Sequence, residues 1–161
     1  MKLALLNLLL VVGVVSHAQQ KMMPPKDVLA TLEGTFNWEM LRPSDGKIMR
    51  TGTKIAFYEL DSLILLSQET FDQTSIRQIG MFGYNEQEAT YFSIGSYNID
   101  IGPHVKYGSM DSTLDRIMFM ENDSSRYFLN LVSENEYYWT YENLNDGEWE
   151  PRDLKIIFKR E

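Results

Sequence analysis

The chain opens with an apolar run over residues 3–15, interrupted by Asn7, and never repeats one of that length. Lys2 precedes the run. Ser16-His17-Ala18 follows it, with small residues at the two positions a signal peptidase reads. This pattern predicts a secretory signal peptide over residues 1–18, cleaved between Ala18 and Gln19. The run is too short for a membrane-spanning helix of about 20 residues. Residues 19–26 carry Pro24-Pro25 and predict a flexible leader. Val28, Leu29 and Leu32, at i, i+1 and i+4, then predict one short helix over residues 27–32.

Beyond Gly34 the period changes from helical spacing to alternation. Phe36, Trp38 and Met40 share one face of a predicted strand over residues 35–41, with Thr35, Asn37 and Glu39 on the other. Nine more short segments follow: 48–59, 63–69, 75–84, 90–94, 105–110, 116–121, 126–132, 137–144 and 154–159. Turn chemistry separates them, including Pro43-Ser44-Asp45-Gly46, Leu60-Asp61-Ser62 and Asn145-Asp146-Gly147. Gly52 predicts a bend, Gly80 and Gly83 predict bulges or close approaches, and residues 95–103 predict an irregular connection.

Ten strands at roughly ten-residue spacing predict an antiparallel sandwich or barrel. Segments 63–66, 127–132 and 137–141 are apolar on both faces, which fits either a buried central strand or a barrel with an apolar lumen and a partly covered exterior, and the end strands favour the barrel. The last segment places Arg160 on the face that carries Leu154, Ile156 and Phe158. If the first and last strands pair, that guanidinium can stack on the ring of Phe36 or Trp38 and close one end.

Gly34-Thr35-Phe36 after a short helix resembles the G-x-W opening of lipocalin-like (calycin) β-barrels, and Phe158-Lys159-Arg160 resembles the basic residue that closes that motif. Phe36 stands where the family pattern has Trp. Gly83-Tyr84-Asn85, the aromatic strand after it and Tyr107-Gly108 resemble an uncharacterised family of exported bacterial domains with this barrel. The resemblance covers about residues 27–160. It implies an all-β, single up-and-down antiparallel barrel of about ten strands with one N-terminal helix, filling residues 27–161, and a cavity. It implies no agreed activity.

Composition narrows the chemistry. The formal charge is −8, and loss of residues 1–18 takes away Lys2 and no acidic residue, giving −9. With no block of Lys and Arg, nucleic acid and anionic membrane surfaces are not expected partners. The chain has no Cys, and of its two histidines only His104 lies beyond the signal segment. A Cys–His pair or a Cys/His zinc site is therefore excluded within one chain, and no cofactor is expected. His104 is a candidate haem ligand at the barrel mouth or an exposed loop residue. Asp111/Asp115 and Asp146/Glu148/Glu150 could bind Ca²⁺ weakly but lack EF-hand spacing, Glu134/Glu136/Glu142 could supply a glycosidase pair, and all of them fit turns and surface first.

What remains is aromatic content. Tyr137, Trp139 and Tyr141 share one face, and Trp38 and Tyr84 lie in other strands. Aromatics with a few polar tips line small-molecule pockets, and they also fill solid cores. The sequence thus predicts an exported, non-enzymatic binder of a small apolar or amphipathic ligand, monomeric or weakly dimeric, secreted or periplasmic. Its candidate ligand-binding residues are Trp38, Met40, Tyr84, Trp139 and Tyr141, and its closing residues are Phe36 and Arg160. A solid-cored interaction module, a haem barrel using His104, and a hydrolase or isomerase using lumenal carboxylates and tyrosines are the alternatives.

Overall fold

A computed structural model describes residues 23–58, 63–99, 103–111 and 114–161. The predicted signal peptide and its cleavage point, residues 19–22 of the predicted leader and the Leu60-Asp61-Ser62 turn lie outside the described residues. One helix, α1 (Pro25–Leu32), precedes ten strands: β1 (Gly34–Arg42), β2 (Lys47–Tyr58), β3 (Ile64–Phe71), β4 (Arg77–Asn85), β5 (Thr90–Tyr97), β6 (His104–Asp111), β7 (Arg116–Asn122), β8 (Ser125–Ser133), β9 (Glu136–Asn145) and β10 (Glu148–Arg160). Each strand pairs antiparallel with the next, and β1 pairs with β10, so the sheet closes into an up-and-down barrel. Among the described residues no helix is long and apolar enough to cross a membrane.

Several boundaries differ from the alternation pattern. The helix begins two residues early, inside the predicted leader. Pro25 sits in its first turn, where a missing N–H is no loss. Gly52 pairs in unbroken register with Trp38 and Phe71, and the register shift of the β1–β2 ladder falls between Met40 and Leu41. Gly80 and Gly83 pair in unbroken register on both sides, so neither is a bulge. Gly83 is a close approach, because a Cβ there would meet the Phe92 ring at 2.5 Å. β5 runs through Gly95 to Tyr97, and β10 starts at Glu148. Pro151 masks that early start, and the β9–β10 register shifts between Pro151 and Lys155. Asp146 and Gly147 both have positive φ (50° and 87°), as a two-residue hairpin turn requires.

Pairing fixes which face of each strand points inward, a parity the apolar-on-both-sides segments left open. Phe36, Trp38, Leu65, Phe119, Tyr127, Leu129, Tyr137 and Phe158 form the buried interior, joined by Val28, Leu29 and Leu32 of α1. α1 covers one end of the barrel, the end where β1 starts and β10 finishes. Stacked and edge-on rings fill that half: Tyr137 lies 4.7 Å from Phe158 and 5.1 Å from Phe36 between ring centroids. The outer surface of β2–β6 is unusually apolar, with Phe57, Leu66, Met81, Ile94 and Val105 forming one cross-strand row. On β8 and β9 the outward aromatics are instead covered by cations: Arg116 lies over Phe128 at 4.3 Å and Lys155 over Tyr138 at 3.7 Å.

Candidate functional site

The half of the barrel away from α1 holds a cavity of about 500 Å³ that opens at the far end. Its size follows from where small residues fall. Ser67, Gly80, Gly95 and His104 are cross-strand neighbours on the inner face of β3–β6. Three of the four offer almost no side chain, so that wall is close to bare backbone. The opposite wall, on β1 and β8–β10, carries Trp38, Tyr127, Trp139, Tyr141 and Phe158. Large residues across from small ones fill a barrel unevenly, and here the deficit lies on one side.

Two ion pairs face this lumen, each between directly opposed residues of neighbouring strands. Lys54 and Glu69 are 3.2 Å apart with side chains 13% and 15% exposed. Lys106 and Glu121 are 2.8 Å apart nearer the mouth. The Lys54 ammonium sits 5.1 Å above the Phe158 ring and 5.6 Å from that of Tyr137, and Lys106 lies 4.7 Å over Tyr127. Both cations are thus held on ring faces, where the π quadrupole favours positive charge. Burial alone would lower the Lys54 pKa, but Tyr137 and the Glu69 carboxylate outweigh it and hold the ammonium above the usual lysine range.

The inner tyrosines respond to the same environment. Burial pushes the Tyr137 hydroxyl up to about 12, although Lys54 pulls the other way. Burial, reinforced by Tyr84, does the same for Tyr91, also to about 12. Tyr127 and Tyr141 are raised further by burial and by neighbouring phenols. All four stay neutral through the physiological range and act as hydrogen-bonding groups rather than charges.

The residues singled out from sequence separate into three places. Trp38, Met40, Trp139 and Tyr141 line the cavity. Tyr84 does not: it faces inward at the α1 end, its ring 4.9 Å from Tyr91. Phe36 and Arg160 pair across the β1–β10 seam, and the guanidinium lies 4.9 Å over the Phe36 ring. Arg160 also donates to the carbonyls of Glu33 (2.6 Å), Glu134 (2.9 Å) and Thr31 (3.2 Å), tying the end of α1 and the β8–β9 turn to the seam. Trp38 takes no part in that stack and packs edge-on against Phe71 at 4.7 Å. His104 is not a loop residue. It opens β6 on the lumenal face and lines the rim of the cavity. Among the described residues no group of three His, Asp or Glu side chains is placed to hold a metal ion.

Sequence reasoning missed Lys54, Glu69, Ser67, Lys106 and the Gly80/Gly95 wall. The signal was there in β2: Gly52, Lys54 and Ala56 alternate with Thr53, Ile55 and Phe57, and the set of small residues around Lys54 is the inner one. No protein-family model matches the chain, and no curated protein matches it.

Proposed function

We propose that this chain is an exported, lipocalin-like binding protein that holds a small amphipathic molecule in the barrel lumen without chemically changing it. The observation that carries the reading is the open cavity of about 500 Å³ walled by aromatics on one side and by Ser67, Gly80 and Gly95 on the other. Its volume falls within the range of roughly 300–1,000 Å³ usual for small-molecule sites. Apolar burial at roughly 25 cal/mol per Å² supplies most of the affinity, and the polar groups fix orientation. The export segment at residues 1–18 agrees with such a role, because a soluble carrier outside the cytoplasm meets ligands that partition poorly into water.

Three measurements test this. Native mass spectrometry of protein purified from its own host should show a bound small molecule that organic extraction releases. N-terminal sequencing of that preparation should begin at Gln19. Gly95→Leu then serves as a blocked variant. A Cβ at Gly95 meets only the flexible end of Gln78, at 2.6 Å, so the barrel accommodates the change while the new side chain fills the lumen. Binding should fall at least about tenfold in Gly95→Leu, with the melting temperature little altered. An empty wild-type lumen, or full binding in Gly95→Leu, would overturn the reading.

A further inference from the structure

Beneath the main lumen, towards α1, lies a niche of about 20 Å³ lined by Lys54, Ser67, Tyr137 and Trp139 among others. Lys54, Ser67 and Trp139 also line the lumen above it, so the niche is the lumen's floor. Its size suits one oxygen atom and its hydrogens, since a single water occupies about 10–15 Å³ by the same measure. Most of its lining is apolar, from Leu32, Ala56, Leu65 and Phe82, and Lys54, Ser67 and Tyr137 bring the polar hydrogens. The Lys54 ammonium has three protons and one carboxylate partner, Glu69. The Tyr137 hydroxyl is fully buried beside the Lys54 ammonium, which can only donate to it, so the phenol's own proton has no acceptor among the described residues. Trp38, whose buried Nε1–H is likewise unpartnered, lines the lumen wall above.

Charge then narrows what can enter. The Lys54–Glu69 pair is already neutral and sheltered. A second carboxylate would share one ammonium with Glu69 in a low-dielectric site, and a cationic group would face Lys54 directly. A neutral oxygen acceptor gains the free donors and leaves the pair intact.

We infer that the lumenal ligand enters polar end first and seats an uncharged carbonyl or hydroxyl oxygen in the floor niche between Lys54, Ser67 and Tyr137, with its apolar body against the aromatic wall. This rests on the binding reading above and names the ligand class: a ring-bearing or chain amphipath ending in a neutral oxygen function, distinct from a fatty-acid-like anion.

Four probes of one shape separate the possibilities: 2-acetylnaphthalene, 2-naphthol, 2-methylnaphthalene and 2-naphthoate, titrated into wild type by calorimetry and tryptophan quenching. The ketone and the naphthol should bind at least about tenfold tighter than the methyl compound and the carboxylate, the factor that one hydrogen bond to an otherwise unmet buried donor supplies. Tyr137→Phe keeps the ring stack on Phe36 and Phe158. It should remove most of that preference while leaving 2-methylnaphthalene within about twofold. Ser67→Ala provides the same comparison should Tyr137→Phe not fold. Equal binding of all four probes would show a niche that holds water alone and would overturn the head-down inference while leaving the binding reading standing. So would tightest binding of 2-naphthoate, or an unchanged preference in both variants. Failure of all four to bind would overturn both.

Discussion

Lys54 and Glu69 show how much one buried pair governs in a barrel of this kind. Each is tolerable inside because the other is there, and the Phe158 and Tyr137 rings shield the ammonium from above. Lys54→Met leaves the Glu69 carboxylate sheltered and uncompensated, and should lower the unfolding free energy by about 3–5 kcal/mol. Lys54→Met combined with Glu69→Leu should recover most of that loss, as urea denaturation of the three variants would report. The buried phenols set a second expectation. Tyr91 and Tyr137 are held near 12 in the folded chain, against 10 when unfolded, so folding retains protons that the unfolded chain releases above pH 10. Their contribution is whole below pH 10 and fades as pH climbs towards 12, by about 2–3 kcal/mol for each. The urea midpoint should therefore hold steady from about pH 7 to 9 and fall steeply above pH 10. None of this was visible from residue type. Ile55 and Phe57 follow Lys54 on the opposite face of β2, and an apolar-inside assumption turns them to the core, whereas pairing turns them to solvent, 49% and 38% exposed.

At the level of elements the chain was far more legible. Alternation and turn chemistry marked all ten strands and the helix, because each strand is bounded by residues that need special backbone angles or cannot extend a ladder. What escaped were the ends. Gly95 and Pro151 look like breaks but lie inside β5 and β10, one because a missing side chain suits the lumen and the other because the ladder shifts beside it. The β1–β10 seam was anticipated from Arg160, and the structure supplies the means: three backbone carbonyls, two from the end of α1 and one from the β8–β9 turn, converge on one guanidinium. Arg160→Ala should cost about 2–4 kcal/mol, with hydrogen exchange rising first in α1 and the last pairs of β10. Arg160→Lys should recover little, because an ammonium on a flexible stem cannot reproduce a planar fork aimed at several acceptors.

Taken whole, the molecule is two halves with different contents: a ring-packed half under α1 and a hollow half lined by opposed charges. Closure was readable from strand count and the terminal basic residue. The hollow was not, because a glycine in a strand is compatible with a bulge, a close contact or an empty wall, and only the partner strands distinguish these. A Cβ at Gly83 would meet a buried ring and backbone and one at Gly95 only the flexible end of Gln78, yet in the sequence the two glycines look alike. The seam also sets how the barrel meets mechanical load. β1 starts and β10 ends at the same end of the barrel, on antiparallel neighbours. Tension between the two ends of the described chain first strips α1 and then falls on the last rungs of the seam, the Glu161 N–H to Thr35 carbonyl bond and the Phe36–Arg160 pair. From there the seam parts one rung at a time instead of shearing all its rungs together. Pulled by its ends in an optical trap, the protein should yield at low force, and Arg160→Ala should lower that force further. Pulled instead through handles on β4 and β8, it should resist far longer.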